Sequence, residues 1–236
     1  MGRSRVVLLS WVVVVALIGA VVLRFVDQFN LVATPPQLPD TASLVEHVLG
    51  SAAYRQAIWP VYLLTNLLFF VGFIAVAVFG AVVASALQGR RPVATFAALL
   101  AVGGILGGIS ALIAVGGVEA GVWLQYCDCG FKDTEVVSQA WAQMVTLDIG
   151  NWLLRGAGVV LGVGAIALVR EAGEVVPSAL RIWSYLTAIA LVAAPIVGFV
   201  GRFDPVPDLL TTLIAGILVP VWVIWLGRSV DRAAEA

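Results

Sequence analysis

The sequence predicts an all-α, polytopic membrane protein, folded as a single bundle of six transmembrane helices over residues 1–236. Two observations predict this class. Apolar residues make up 61% of the chain and charged residues only 11%, with a mean hydropathy of +1.06, whereas a soluble domain carries about 25% charged residues. The apolar residues also fall in long charge-free blocks, and a block of this kind is helical in lipid because every backbone N–H needs a partner within its own segment.

Charged residues delimit six apolar segments, each able to supply the ~20 residues that cross ~30 Å of hydrocarbon. The predicted spans are 6–24, 60–87, 93–121, 149–169, 182–201 and 209–227. The first span follows Arg3 and Arg5, as in a signal peptide. Its apolar run is longer than the roughly 7–15 residues of a typical signal-peptide core, so we expect an uncleaved signal-anchor.

The distribution of basic residues predicts the orientation. With the N-terminus in the cytoplasm, eight basic residues fall inside and five outside, which places both termini in the cytoplasm. Twelve of the 13 basic residues are arginine, and with the many Ala, Val and Gly residues this indicates a GC-rich bacterial gene and a multi-pass protein of the cytoplasmic membrane. The net charge of −1 and the lack of a basic stretch exclude a nucleic-acid partner, so the expected partner is the lipid bilayer.

The two longer outer loops each contain a pattern typical of a short amphipathic helix. Asp40 or Thr41 can cap the first, whose apolar positions run from Leu44 to Leu49. Asp133 or Thr134 can cap the second, with an apolar face between Val136 and Met144. Two interpretations stay open: a pair of helices lying at the membrane interface, or a lid over a cavity that opens outward.

Glycines four residues apart mark the third span, in the pairs Gly103/Gly107 and Gly104/Gly108. Such pairs make a flat strip on which a neighbouring backbone can approach closely. Packing between helices of the same chain is the simpler interpretation, and a homo-oligomer formed through this span is the alternative.

Polar side chains at membrane depth are the best candidates for a ligand-binding site, because charge in lipid is costly and normally paired. Arg155 lies within the fourth span, and Glu119 and Asp148 are its candidate partners. Asn66 lies at a similar depth in the second span. These residues form either a structural ion pair with interfacial anchoring or an outward-facing polar pocket for an anion or a lipid headgroup.

Cys127 and Cys129 lie in the second outer loop and allow three interpretations. They form a local disulfide, they are free or intermolecular thiols, or they belong to a redox or metal site with His47 and Asp128. One cysteine pair and one distant histidine are a weak metal signature, so no metal is expected. No lysine, histidine or carboxylate lies at mid-membrane, and the sequence therefore predicts no catalytic residue and no cofactor.

The layout is similar to a family of bacterial six-span membrane proteins classed as a domain of unknown function. The shared features are the signal-anchor, an outer-loop helix ending near Tyr54-Arg55, the glycine-rich segment from Gly103 to Gly108, and the final Trp222-Val-Ile-Trp225-Leu-Gly-Arg228. The resemblance implies no reaction, substrate or cofactor, and no functional residue follows from it.

Together these features predict an accessory or ligand-binding membrane protein with an outward-facing polar pocket and, on balance, no enzymatic activity. A small-solute transporter is the first alternative. A thiol-redox protein or other membrane enzyme that acts outside the cytoplasm is the second.

Overall fold

The computed structural model describes residues 3–34, 37, 39, 43–88, 93–126, 133–173, 176–200 and 214–235, and within these ranges every regular element is a helix. The elements are α1 (Arg3–Gln28), α2 (Leu44–Leu87), α3 (Ala94–Tyr126), α4 (Asp133–Ala172), α5 (Ser178–Val200), a π-helical turn (Ile214–Leu218) and α6 (Val219–Glu235). The predicted all-α class is confirmed.

Five helices contain a stretch that is long and apolar enough to cross a membrane. These stretches are Arg5–Asp27, Gln56–Leu87, Ala94–Gly116, Asp148–Ala172 and Ser178–Val197, and they overlap the first five predicted spans. The sixth predicted span, 209–227, starts in residues that lie outside the described ranges, so it stays a prediction.

Large apolar side chains cover the outside of the bundle. Leu8 on α1 is 66% exposed, Ile105 on α3 is 50% exposed and Ile189 on α5 is 65% exposed. An apolar surface that follows whole helices is costly in water. The same surface is suited to lipid tails, so the architecture is that of a helical membrane protein.

Neighbouring helices run antiparallel, and the last helix returns to the first. Gly19 faces Leu68 while Gly72 faces Leu17, which sets α1 against α2 in opposite directions. The pairs α2/α3, α3/α4 and α4/α5 are antiparallel in the same way. The last helix, α6, packs against both α1 and α5. We call the end at which α1 and α3 finish the upper end of the bundle, and the opposite end the lower end. The upper end corresponds to the predicted outer side.

The glycines of α3 are used for packing within the chain. A Cβ atom at Gly103 would meet Leu161 of α4, whereas Cβ atoms at Gly104, Gly107 and Gly108 would meet α2 around Phe73 and Ile74. Glycine therefore lets α3 approach both neighbours closely, as expected for small residues at helix contacts. These four positions face helices of the same chain, as in the simpler interpretation, and a homo-oligomer stays a prediction.

The two predicted outer-loop helices are not separate elements. Residues 44–55 belong to the same helix as the second span, and residues 133–147 to the same helix as the fourth. At ~1.5 Å per residue, the 44 residues of α2 extend well beyond ~30 Å of hydrocarbon. The expectation of two short helices was wrong, because the helical hydrogen-bond ladder continues across each presumed break.

The start of α2 also differs from the prediction. Its N-cap is Ser43, whose hydroxyl accepts from the backbone N–H of Glu46, while the Glu46 carboxylate accepts from the N–H of Ser43. This capping box satisfies two backbone donors at once. It sets the helix start two or three residues after the predicted caps, Asp40 and Thr41. The described part of α4 begins at Asp133, so the two predicted caps, Asp133 and Thr134, are already helical residues.

At the lower end, a carboxylate from α4 caps the start of α3. The two oxygens of Glu171 accept from the backbone N–H groups of Thr95, at 3.2 Å, and Phe96, at 3.1 Å. These donors have no partner inside the helix, and a negative charge there also complements the helix dipole. Glu171 therefore fastens the lower ends of α3 and α4 together.

Replacing Glu171 by glutamine is expected to lower the free energy of unfolding by about 1 kcal/mol, because one charged acceptor for two helix-end N–H groups is lost. Chemical unfolding in detergent micelles, followed by tryptophan fluorescence, measures the change. The exposed neighbour Arg170 provides the control, since Arg170→Gln is expected to change stability by less than about 0.5 kcal/mol. Equal effects of the two substitutions would contradict the capping role.

Candidate functional site

A cavity of about 80 Å³ lies between α1, α2, α3 and α4, towards the upper end of the bundle. Its polar lining consists of Arg24, Tyr62, Asn66, Ser110 and Asn151. The remaining lining residues are phenylalanine, alanine, glycine and leucine. Among the described residues of the lining, Arg24 is the only charged side chain.

Hydrogen bonds between helices hold the polar wall in place. The buried Ser110 hydroxyl on α3 donates to the carbonyl of Gly150 on α4 at 2.7 Å. The Tyr62 hydroxyl on α2 donates to the carbonyl of Ala114 on α3 at 3.4 Å. Because Gly150 has no side chain, α4 can lie close to Ile113 and Ser110. The cavity wall is therefore held by side-chain hydroxyls bonded to backbone carbonyls and by the close approach of α4 to α3 at Gly150.

Asn66 projects from α2 into the cavity and is only 8% exposed. Its amide nitrogen donates to the carbonyl of Tyr62, one turn earlier, at 2.9 Å. A side-chain amide carries two N–H donors and one acceptor oxygen. The bond to Tyr62 uses one donor and holds the amide in position, and no other hydrogen bond to Asn66 is found within the described part of the chain.

Of the three predicted ligand-binding residues whose side chains the structure describes, Asn66, Asp148 and Arg155, only Asn66 lines this cavity. Arg155 turns away from it: the guanidinium carbon lies 5.1 Å from the centroid of the Trp152 ring, one turn earlier on α4. Trp152 is 56% exposed, so the pair lies on the lipid side of the helix. Such a cation–π contact lowers the cost of a guanidinium near the membrane interface.

The other predicted residues lie elsewhere. Asp148 is an exposed residue at the upper end of the fourth span, outside the cavity lining. Glu119 belongs to α3, but its side chain, like that of His47, is outside the described part of the structure. Cys127 and Cys129 also lie outside the described residues, so the three interpretations of this pair stay open. The pairing of Arg155 with Glu119 or Asp148 therefore stays a prediction.

Sequence reasoning missed Arg24 as a site residue. Arg24 is one of the five basic residues that the orientation argument places outside, yet it lies three residues before the end of the first candidate span, Arg5–Asp27, or ~4.5 Å along the helix. An arginine inside a span rather than beyond it was the available signal. Asn151 was likewise not among the candidate ligand-binding residues predicted from the sequence.

A second polar group closes the top of α1 near the cavity. The Tyr54 hydroxyl on α2 donates to the Asp27 carboxylate at 3.1 Å and to the Asn30 side-chain oxygen at 3.4 Å. Burial and the neighbouring Asp27 carboxylate raise the pKa of Tyr54, a hydroxyl that is already protonated at neutral pH. Asn30, at a φ of 53°, ends α1 in the left-handed conformation typical of a helix C-terminus.

The geometry of the cavity is suited to binding. It offers a guanidinium and two side-chain amides, which are hydrogen-bond donors for a polar ligand. Among the described lining residues there is no carboxylate or histidine to act as a base towards the Ser110 hydroxyl. The arrangement can therefore hold and orient a small polar group.

Comparison of the chain with protein-family models, with curated proteins and with solved structures finds no match.

Proposed function

We propose that this protein is a ligand-binding or accessory membrane protein that holds a small polar group in the cavity at the upper end of its bundle. The observation that carries the proposal is the polar lining itself: five polar side chains from four helices line one cavity, and two of them, Asn66 and Ser110, are buried. Polar groups at membrane depth are expensive and are usually retained for function.

The size of the cavity limits what it can hold. Sites for drug-sized molecules are ~300–1,000 Å³, whereas this cavity is about 80 Å³. It has room for a few water molecules or for one small polar group. This supports binding of a small group or of one end of a larger molecule, and it speaks against a binding site for a whole sugar or nucleotide.

The orientation forms part of the proposal. We propose six spans with both termini in the cytoplasm of a bacterium, so that the upper end and its cavity face outward. The bias of arginines towards the short loops at the lower end supports this orientation.

Filling the cavity is expected to abolish binding. Ala111 lines the cavity and is 5% exposed, so Ala111→Leu adds three carbon atoms in the space that a ligand would occupy. Thermal unfolding in dodecyl maltoside, which carries no phosphate, is measured with millimolar phosphate, acetate, choline or glycerol. A bound probe raises the midpoint, because a ligand at 100 times its Kd adds about 2.7 kcal/mol of stability.

The matched control is Ala98→Leu, which makes the same change on the lipid-facing side of α3. We expect the wild type and Ala98→Leu to be stabilised by the same probe and Ala111→Leu not to be. Ala114→Leu, at a second lining position, replaces Ala111→Leu if that variant does not fold. Stabilisation of the filled variants would refute the proposed function. So would the absence of any effect on the wild type of these four probes and of a short-chain phospholipid, dihexanoyl phosphatidylglycerol.

A further inference from the structure

We propose that the group held in the cavity is a phosphate, bound by Arg24. This inference rests on the proposed function, which requires only that a small polar group binds, and it adds the chemical class of that group and the residue that selects it.

Charge is the first argument. Arg24 is half-buried and lies about one turn before the end of the first candidate span. No ion pair or hydrogen bond of Arg24 is found within the described part of the chain. A guanidinium that is partly withdrawn from water without a counter-charge is costly. An anion in the cavity removes that cost, whereas a cation would add to it.

The donor pattern is the second argument. Arg24 comes from α1, Asn66 from α2 and the exposed Asn151 from α4, so side chains that carry N–H donors line the cavity from three different helices. Asn66 keeps one N–H beyond the bond to Tyr62. A guanidinium offers five donors in a planar fork that matches the oxygens of a phosphate. A tetrahedral phosphate can accept from several directions at once, whereas a carboxylate presents its two oxygens in one plane.

Size is the third argument. A cavity of about 80 Å³ accommodates a single phosphate group but no large substituent. The phosphate can therefore be free inorganic phosphate, or it can belong to a lipid headgroup whose tails stay outside in the bilayer. Both sources present the same oxygens to Arg24, and the experiment distinguishes them.

The test compares Arg24→Gln with Arg155→Gln in dodecyl maltoside. Both substitutions remove an arginine from the upper part of a span, but Arg155 lies outside the cavity lining. Phosphate affinity is measured from the rise in the unfolding midpoint, with sodium chloride of equal ionic strength as the reference. We expect Arg24→Gln to weaken phosphate binding at least tenfold and Arg155→Gln to change it less than twofold. Arg24→Lys, which keeps the charge but loses the fork, is expected to lie between them and serves if Arg24→Gln does not fold.

The source of the phosphate is read from two further probes, dihexanoyl phosphatidylglycerol and dihexanoylglycerol. Binding of the phospholipid but not of inorganic phosphate supports a lipid headgroup. Equal binding of both supports free phosphate. In either case dihexanoylglycerol, which lacks the phosphate, is expected not to bind. If acetate, choline or glycerol binds in place of phosphate and Ala111→Leu abolishes that binding, the proposed function stands and this inference is overturned. Phosphate binding that is insensitive to Arg24→Gln also overturns it. If no probe binds, both proposals fail.

Discussion

Replacing Gly104 by alanine is expected to destabilise the protein by about 2 kcal/mol, although the change adds one carbon atom. The new Cβ would lie 2.5 Å from the carbonyl oxygen of Phe73, 2.8 Å from the Cβ of Ala77 and 2.9 Å from the nitrogen of Ala77. All three atoms belong to the α2 backbone or are attached directly to it, so no side-chain rotation relieves the contact. Overpacking of this kind costs about 1–3 kcal/mol, and in lipid the close approach of helices is itself a main source of stability.

Gly116→Ala on the same helix separates this effect from helix propensity. No described atom lies within 4 Å of a Cβ at Gly116, and alanine is favoured over glycine in a helix by up to about 1 kcal/mol. We expect Gly116→Ala to be neutral or stabilising and Gly104→Ala to be clearly destabilising, measured by reversible unfolding in mixed micelles of dodecyl maltoside and dodecyl sulfate. Equal stability of the two variants would show that α2 and α3 do not approach as closely as the structure has them.

Hydrophobic blocks predict the spans well because an apolar segment in lipid has to satisfy its backbone hydrogen bonds internally, and an α-helix does so. Five predicted spans overlap helices that are long and apolar enough to cross a membrane. The same argument does not predict where a helix ends beyond the lipid. Outside the lipid, the position at which a helix starts or ends depends on capping side chains, such as Ser43 and Glu46. It also depends on whether a residue interrupts the helical hydrogen bonds. The helix α2 is continuous between residues 44 and 87, although it contains Pro60, which has no backbone N–H to donate.

The candidate site shows a different limit of sequence reasoning. Depth along a helix can be counted from the sequence, and this count brought out Asn66 and Arg155. The side to which a residue points depends on the neighbours of the helix. Asn151 and Leu154 of α4 face the cavity, and Arg155 is one position further, about 100° around the helix, beside the exposed Trp152. The cavity's arginine instead comes from the end of α1.

Truncating Phe79 to alanine is expected to cost about 3 kcal/mol. Phe79 is fully buried on α2, and its ring lies near Gly227 of α6, so it fills the space where α2 and α6 meet. In soluble proteins Phe→Ala in a core costs about 3–5 kcal/mol, part of which is transfer of the ring out of water. In a micelle the unfolded chain also keeps its apolar side chains out of water, so this transfer contributes little. The loss of packing contacts around an unfilled cavity remains.

Leu67→Ala tests this reasoning, because Leu67 lies on the same helix and is 42% exposed to the surroundings of the bundle. Lipid or detergent fills the space left by Leu67, so its truncation is expected to cost less than about 0.5 kcal/mol. If transfer of apolar side chains out of water stabilised the bundle, the same truncation would cause a large loss of stability. Unfolding in mixed micelles compares the two variants. If both lose similar stability, exclusion from water holds the helices together. If only Phe79→Ala is destabilised, contacts between helices hold the bundle together, which is what the closely packed glycines of α3 require.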